Sequence, residues 1–295
     1  MKSLQEVIGR AKQKGPVKLA VVMPHDDATV FAVKMGIEAA LIQPELFGDR
    51  ALIMPLLEKA GLSEKDLVIS QDTSGTPIEA ITSVREGRNS MLMKGSIHTP
   101  ALLRAVLSKA EGLGSGRICS HIMVCDIPGF DRLLLITDGG LNILPNADEK
   151  AEIIKNAIDL ARVLEIKTPR IALLASMEDV STRLPATTDA AILTQMANRG
   201  IIKDAIVDGP LAIDNILSVE AAAVKGIKSD VAGQADIIVA PNVETGNVLI
   251  KTIVHFGKAV NAGIILGAKA PIVLPSRAGS IDSKWASIAL GALMR

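Results

Sequence analysis

A turn near the end of the chain gathers the side chains best suited to chemistry. In Pro271-Ile272-Val273-Leu274-Pro275-Ser276-Arg277-Ala278-Gly279-Ser280-Ile281-Asp282 an apolar run ends at a proline. A hydroxyl, a guanidinium and a glycine then precede a helix start. A guanidinium at the carboxyl end of a strand stands where open α/β sheets bind ligands. Its planar, permanently charged fork suits a phosphate or a carboxylate. A surface ion pair would contribute little at such a place, so anion binding is the stronger reading.

Two other strand-end loops carry polar groups. Met93-Lys94-Gly95-Ser96-Ile97-His98-Thr99 offers an amine and an imidazole at a helix start. Thr99 is equally a good N-cap with Pro100 at the first helical position. Asp236-Ile237-Ile238-Val239-Ala240-Pro241-Asn242-Val243-Glu244-Thr245-Gly246-Asn247 empties a buried strand into a helix N-terminus, with Lys251 one turn on. That is either an anion site or simple capping by Asn242 or Thr245, with capping slightly ahead. A fourth loop, Thr137-Asp138-Gly139-Gly140-Leu141-Asn142-Ile143, has glycines that serve its turn.

Several tempting motifs fail. Gly112-Leu113-Gly114-Ser115-Gly116 follows a helix and precedes a strand, the reverse of a dinucleotide loop. There is no Gly-x-x-x-x-Gly-Lys-Ser/Thr loop and no Gly-x-Ser-x-Gly elbow. Cys119, His121 and Cys125 share one face of a strand, and packing explains them better than zinc.

These loops need an α/β scaffold. Short β-rich runs alternate with helical patterns: a strand over 17–23, a helix from an Asp27 cap through Leu41, then strand–helix pairs over 67–86 and 90–109. Runs 118–125 and 132–136 flank a turn and read as a hairpin. A long helix begins near Asp148 and runs to about Leu164, and a second alternating series follows, closed by a helix over 281–294. Mostly parallel sheets with helices on both faces are implied, with a natural division near residues 140–147.

The bulk composition narrows the function. At 295 residues the chain suits two domains. Lys+Arg and Asp+Glu balance at 32 each, which gives no electrostatic case for nucleic acid or a membrane surface. Aromatics are 2% with no tyrosine, so base-stacking platforms are not expected. Two cysteines make no disulfide framework and fit a reducing compartment. Met1-Lys2-Ser3-Leu4-Gln5-Glu6 carries no apolar signal core, and cytoplasmic residence is expected.

At the loops described above the sequence resembles the phosphate acetyltransferase/phosphate butyryltransferase family, the butyryltransferase branch above all. The resemblance is carried by Lys94-Gly95-Ser96-Ile97-His98-Thr99, by 136–142, by Val207-Asp208-Gly209-Pro210-Leu211-Ala212-Ile213-Asp214-Asn215, by 235–247 and by the Ser276-Arg277 segment. It implies two α/β domains around a cleft, as in isocitrate and isopropylmalate dehydrogenases. The first is discontinuous (1–141 plus 276–295) and the second is 142–275. The implied reaction is reversible: acyl-CoA and phosphate give an acyl phosphate and free CoA, with a butyryl or branched acyl group; the alternatives are an acetyltransferase using acetyl-CoA or a non-catalytic acyl-CoA-sensing module. CoA is a substrate, no cofactor is permanently bound, and no metal is intrinsic to the chemistry.

The resemblance makes Arg277 the phosphate clamp and Ser276 the hydroxyl donor. An aspartate that acetyltransferases carry six residues after this arginine is Ser283 here; the nearest carboxylate is Asp282, one residue earlier. One residue turns a helix by about 100°, so Asp282 is either the base or a helix N-terminal charge. Arg104 is a candidate for CoA phosphates or a solvated helix-face arginine, beside Lys94, His98 and Thr99. Asn242, Thr245, Gly246 and Asn247 are expected on the opposite wall. A homodimer or higher homo-oligomer is the expected assembly.

Overall fold

The computed structural model describes residues 1–71 and 77–295. In chain order the elements begin α1 (Leu4–Gln13), β1 (Val17–Val22), α2 (Asp27–Glu38), β2 (Ile42–Gly48), α3 (Arg50–Ala60), β3 (Val68–Gln71), α4 (Ile78–Arg85), β4 (Met91–Lys94) and α5 (Thr99–Val106). The hairpin strands β5 (Ser120–Asp126) and β6 (Leu134–Thr137) follow, then α6 (Ala147–Val163), β7 (Arg170–Leu174), α7 (Pro185–Asn198), β8 (Ile206–Leu211), α8 (Ile213–Leu217) and α9 (Val219–Val224). The chain closes with β9 (Ile237–Val239), α10 (Val243–His255), β10 (Val260–Leu266), β11 (Ile272–Val273) and α11 (Ile281–Leu293).

The chain forms two compact units. The first is Leu4–Arg117 with Asn261–Arg295; the second is Ile118–Val260 with Met1–Ser3. The crossings therefore lie at 117/118 and 260/261, ahead of the 141/142 and 275/276 expected from sequence. Strand pairing sets them. β6 pairs in parallel with β9, which carries the β5–β6 hairpin into the second unit. β10 pairs with β11, and β11 with β4, which returns both strands to the first.

In the first unit the strand order is β3-β2-β1-β4-β11-β10, parallel except for β10 against β11. α11 packs on α1 and α2. It is buried from Ser283 to Leu293, as a helix apolar nearly all round must be. In the second unit the order is β5-β6-β9-β7-β8, parallel except within the hairpin. The apolar runs that alternate with helices in sequence are the buried strands of these sheets. The expected α/β class with mostly parallel sheets is the observed one.

Local differences from the sequence reading have local causes. β2 and α3 do not show in the sequence pattern, because Pro44 and Pro55 break the signatures of a strand and a helix. The α2 cap is Asp26 rather than Asp27: its carboxylate accepts from the Thr29 amide at 2.8 Å, a bond geometrically open only to the residue outside the first turn. α5 begins one residue early, with His98 at the cap position, Thr99 inside the helix and no side-chain cap bond. Among the described residues no helix is long and apolar enough to cross a membrane.

Candidate functional site

In the first unit, the carboxyl ends of β1, β4 and β11 bring together three cations and one carboxylate. β4 lies between β1 and β11, and its last residue is Lys94. Gly95 follows because the chain passes against β1 there: a Cβ would collide with the carbonyl oxygens of Val22 and Met23. Lys94 is 1% exposed and its Nζ donates to the Gly95 carbonyl at 3.0 Å. Burial, then the charges of Lys284 and Arg277, lower its pKa to about 8 against the pull of Asp26.

Lys284 projects from the first turn of α11 and is likewise 1% exposed. Its Nζ lies 3.9 Å from Asp26 Oδ1 and donates to the Ser276 carbonyl at 3.4 Å. Burial pulls its pKa down, and Asp26 opposes that. Asp26 accepts from Thr29 Oγ1 at 2.7 Å and from Ser96 Oγ at 2.9 Å. Burial alone would raise its pKa; the bonds from Thr29, the Lys284 charge and the Ser96 hydroxyl outweigh burial and hold it below the ordinary carboxylate range.

Above these groups the β11–α11 turn is open. Ser276 and Arg277 are exposed, and Arg277 Nη1 lies 3.3 Å from His98 Nδ1, itself exposed. An acceptor-free guanidinium and two ammonium groups around one carboxylate leave an excess of positive charge, the setting for an oxyanion.

The sequence-derived candidates therefore sort into groups. Lys94, His98, Ser276 and Arg277 converge. Arg104 is exposed near the end of α5, and Thr99 is half-buried in its first turn. Asp282 is exposed on α11, while Ser283 beside it is buried: its hydroxyl accepts from Ser280 Oγ at 3.2 Å and from the Asn261 amide at 3.4 Å. Asp282 is thus not brought into the cluster. Lys284 and Asp26 escaped the sequence reading. A lysine in the small and apolar run Ser283-Lys284-Trp285-Ala286-Ser287-Ile288 was the available signal for one. An aspartate four residues past the buried strand β1 was the signal for the other.

In the second unit Asn242 caps α10, accepting from the Thr245 amide at 2.9 Å. A Cβ on Gly246 would collide with the Asp138 carbonyl, and Asn247 Nδ2 donates to the Gly139 carbonyl at 3.0 Å. The 137–142 loop is closed on itself. Asp138 accepts from the amides of Gly140 at 2.7 Å, Leu141 at 2.9 Å and His121 at 3.0 Å, and from Asn142 Nδ2 at 2.7 Å.

Asn242 and Thr245 also line a cavity of about 1080 Å³ at the carboxyl ends of β7, β8 and β9, walled by Leu144, Leu174, Ile213 and Val248. The Lys150 Nζ–Asp189 Oδ2 pair, 2.6 Å, sits in its wall.

Among the described residues no three His, Cys, Asp or Glu side chains are grouped to hold a metal ion. Cys119 and Cys125 are buried and free, and burial pushes Cys125 up to about 12, so neither is a reactive thiolate.

Residues 67–292 match the family model described as phosphate acetyl/butaryl transferase. The phosphate butyryltransferase of Clostridium beijerinckii is 40% identical over 295 residues, covering 99% of this chain and 98% of that protein. The crystal structure of a branched-chain phosphotransacylase from Enterococcus faecalis V583 aligns with a TM-score of 0.81 at 29% identity, covering 94% of this chain and 98% of that one. A putative 4-hydroxythreonine-4-phosphate dehydrogenase from Salmonella typhimurium (TM-score 0.56, 16% identity, 95% and 99% coverage) shares the fold alone. Matched over most of its length by the family model and over nearly all of it by these relatives, the chain belongs to the phosphate acetyl/butyryl transferase family.

Proposed function

We propose that this chain moves a short acyl group, butyryl or branched, between CoA and inorganic phosphate. The reading rests above all on the unbalanced positive charge of Lys94, Lys284 and Arg277 around Asp26. That arrangement suits a phosphoryl dianion. Arg277 grips the phosphoryl oxygens and Ser276 donates to the oxyanion as phosphate adds to the thioester carbonyl. The tetrahedral intermediate then expels the CoA thiolate. His98 orients Arg277, and Lys284 holds the turn through the Ser276 carbonyl. Arg104 is available to a CoA phosphate. Thr245 and Asn242 belong to the cavity wall, whereas Gly246 and Asn247 serve the packing of the 137–142 loop.

The names of its relatives support a butyryl or branched cargo. Free buried cysteines support a cytoplasmic setting. A homodimer is supported by exposed Val248 and Phe256 on and beside α10, at 64% and 87% exposure.

The test is thiol release from acetyl-, propionyl-, butyryl- and isobutyryl-CoA, with and without phosphate. Phosphate-dependent release, fastest with the four-carbon chains, is expected. Tight acyl-CoA binding with no turnover of any of the four would instead indicate an acyl-CoA-sensing module.

A further inference from the structure

We infer that Lys94 is the proton carrier of the acyl transfer, moving one proton between the phosphate oxygen and the CoA sulfur. The inference rests on the acyl-transfer reading above. Lys94 ends β4 beneath the Ser276-Arg277 turn, and among the described residues no carboxylate lies within 4 Å of its Nζ. In the neutral amine the bond to Gly95 uses one N–H, and the lone pair is left to accept a proton.

The charged groups facing Lys94 come from three places: Asp26 between β1 and α2, Arg277 between β11 and α11, and Lys284 on α11. His98, from the β4–α5 junction, meets Arg277. Two cations against one carboxylate, added to burial, bring the amine to about 8. An unperturbed thiol titrates at about 8.5. Proton exchange between groups so closely matched is easy in both directions, as a reversible reaction requires. The other acid–base candidates fit less well. Asp26 is held below the ordinary carboxylate range, Asp282 is outside the cluster, and Ser283 has no proton to exchange near neutral pH.

In the direction from acyl-CoA, neutral Lys94 takes the proton of hydrogen phosphate as the phosphate oxygen bonds to the thioester carbon. The C–S bond then breaks, its electron pair leaves on sulfur, and the ammonium returns the proton to the thiolate. In reverse, Lys94 takes the thiol proton as the S–C bond forms, and delivers it to the departing phosphate oxygen as the C–O bond breaks. Lys94 ends each turnover neutral, and nothing else is consumed.

The experiment measures thiol release from butyryl-CoA at saturating phosphate, from about pH 6 to about pH 9.5, for the wild type, Lys94→Arg and Lys94→Ala. Wild-type kcat should rise with pH, reach half its maximum near pH 8 and level off above about pH 9. Arginine keeps the cation but does not deprotonate. In Lys94→Arg, KM for phosphate should stay within a few-fold, kcat should fall by about 10²–10⁴-fold, and the rise with pH should vanish. Ethylamine should restore part of the Lys94→Ala rate, in proportion to its neutral fraction. Wild-type kcat and pH profile in Lys94→Arg overturn the proposal. If neither variant folds by circular dichroism, the wild-type profile decides, and a flat kcat across this range overturns it. A wild type that turns over no acyl-CoA overturns the acyl-transfer reading and this inference together. An active wild type with an indifferent Lys94 overturns the inference alone.

Discussion

Two buried lysines of this protein have opposite partners. Lys150, 4% exposed in the second unit, meets Asp189 at 2.6 Å. Lys94, 1% exposed in the first, has a carbonyl oxygen at 3.0 Å and two neighbouring cations. A buried charge that is paired can be a structural part; a buried charge surrounded by its own sign costs stability and persists where a ligand completes it. The loops repeat the contrast. Asp138 accepts from three residues of its own loop and from the His121 amide of β5, while Arg277 faces outward with an imidazole at 3.3 Å.

The contrast is sharpest where a partner is removed. Asp189→Ala leaves the Lys150 ammonium buried alone and should cost about 3–5 kcal/mol of stability, read from urea unfolding; a loss under about 1 kcal/mol would make that pair no more structural than an exposed one. Arg277→Ala should lower kcat/KM by about 10²–10³-fold, about 2.7–4 kcal/mol of transition-state stabilisation, with unfolding unchanged. Near-normal turnover would remove Arg277 from the site.

Lys94→Met should do the reverse of Asp189→Ala and stabilise the fold by about 1–3 kcal/mol at pH 7 while abolishing turnover. The sign follows from linkage. Folded Lys94 loses its proton near 8 and the unfolded side chain near about 10.4, so the unfolded state binds more protons between those values. Wild-type stability should therefore gain on that of Lys94→Met as pH rises through this window. A constant gap would show that Lys94 is not held as an unfavourable charge. Asp282→Asn should change kcat by less than about threefold, because its carboxylate is exposed and outside the cluster. A large loss confined to neutral pH and below would restore it as the base.

Much of the fold was legible in the sequence. Buried parallel strands write themselves as short apolar runs, and each helix carries its own period, so most elements could be placed within a few residues. β2 and α3 were not, because Pro44 and Pro55 interrupt patterns that tertiary packing tolerates. Ser276, Arg277, Lys94 and His98 stood out because strand-end loops carry ligands. Asp26 and Lys284 did not, since a cap and a helix lysine are ordinary residues until they face one another.

The α/β class, the strand-end loops and the membership of the family could all be read from residues alone, because each depends on local period or on long matching runs. Where the chain crosses between units needed the three-dimensional fold, because that depends on which strand each edge pairs with. The fold alone separated Lys94 from Lys150, because a charge is defined by what faces it across strands far apart in sequence. It also turned Asp282 outward and Lys284 inward, two residues apart on one helix, since about 200° of helical rotation separates their directions.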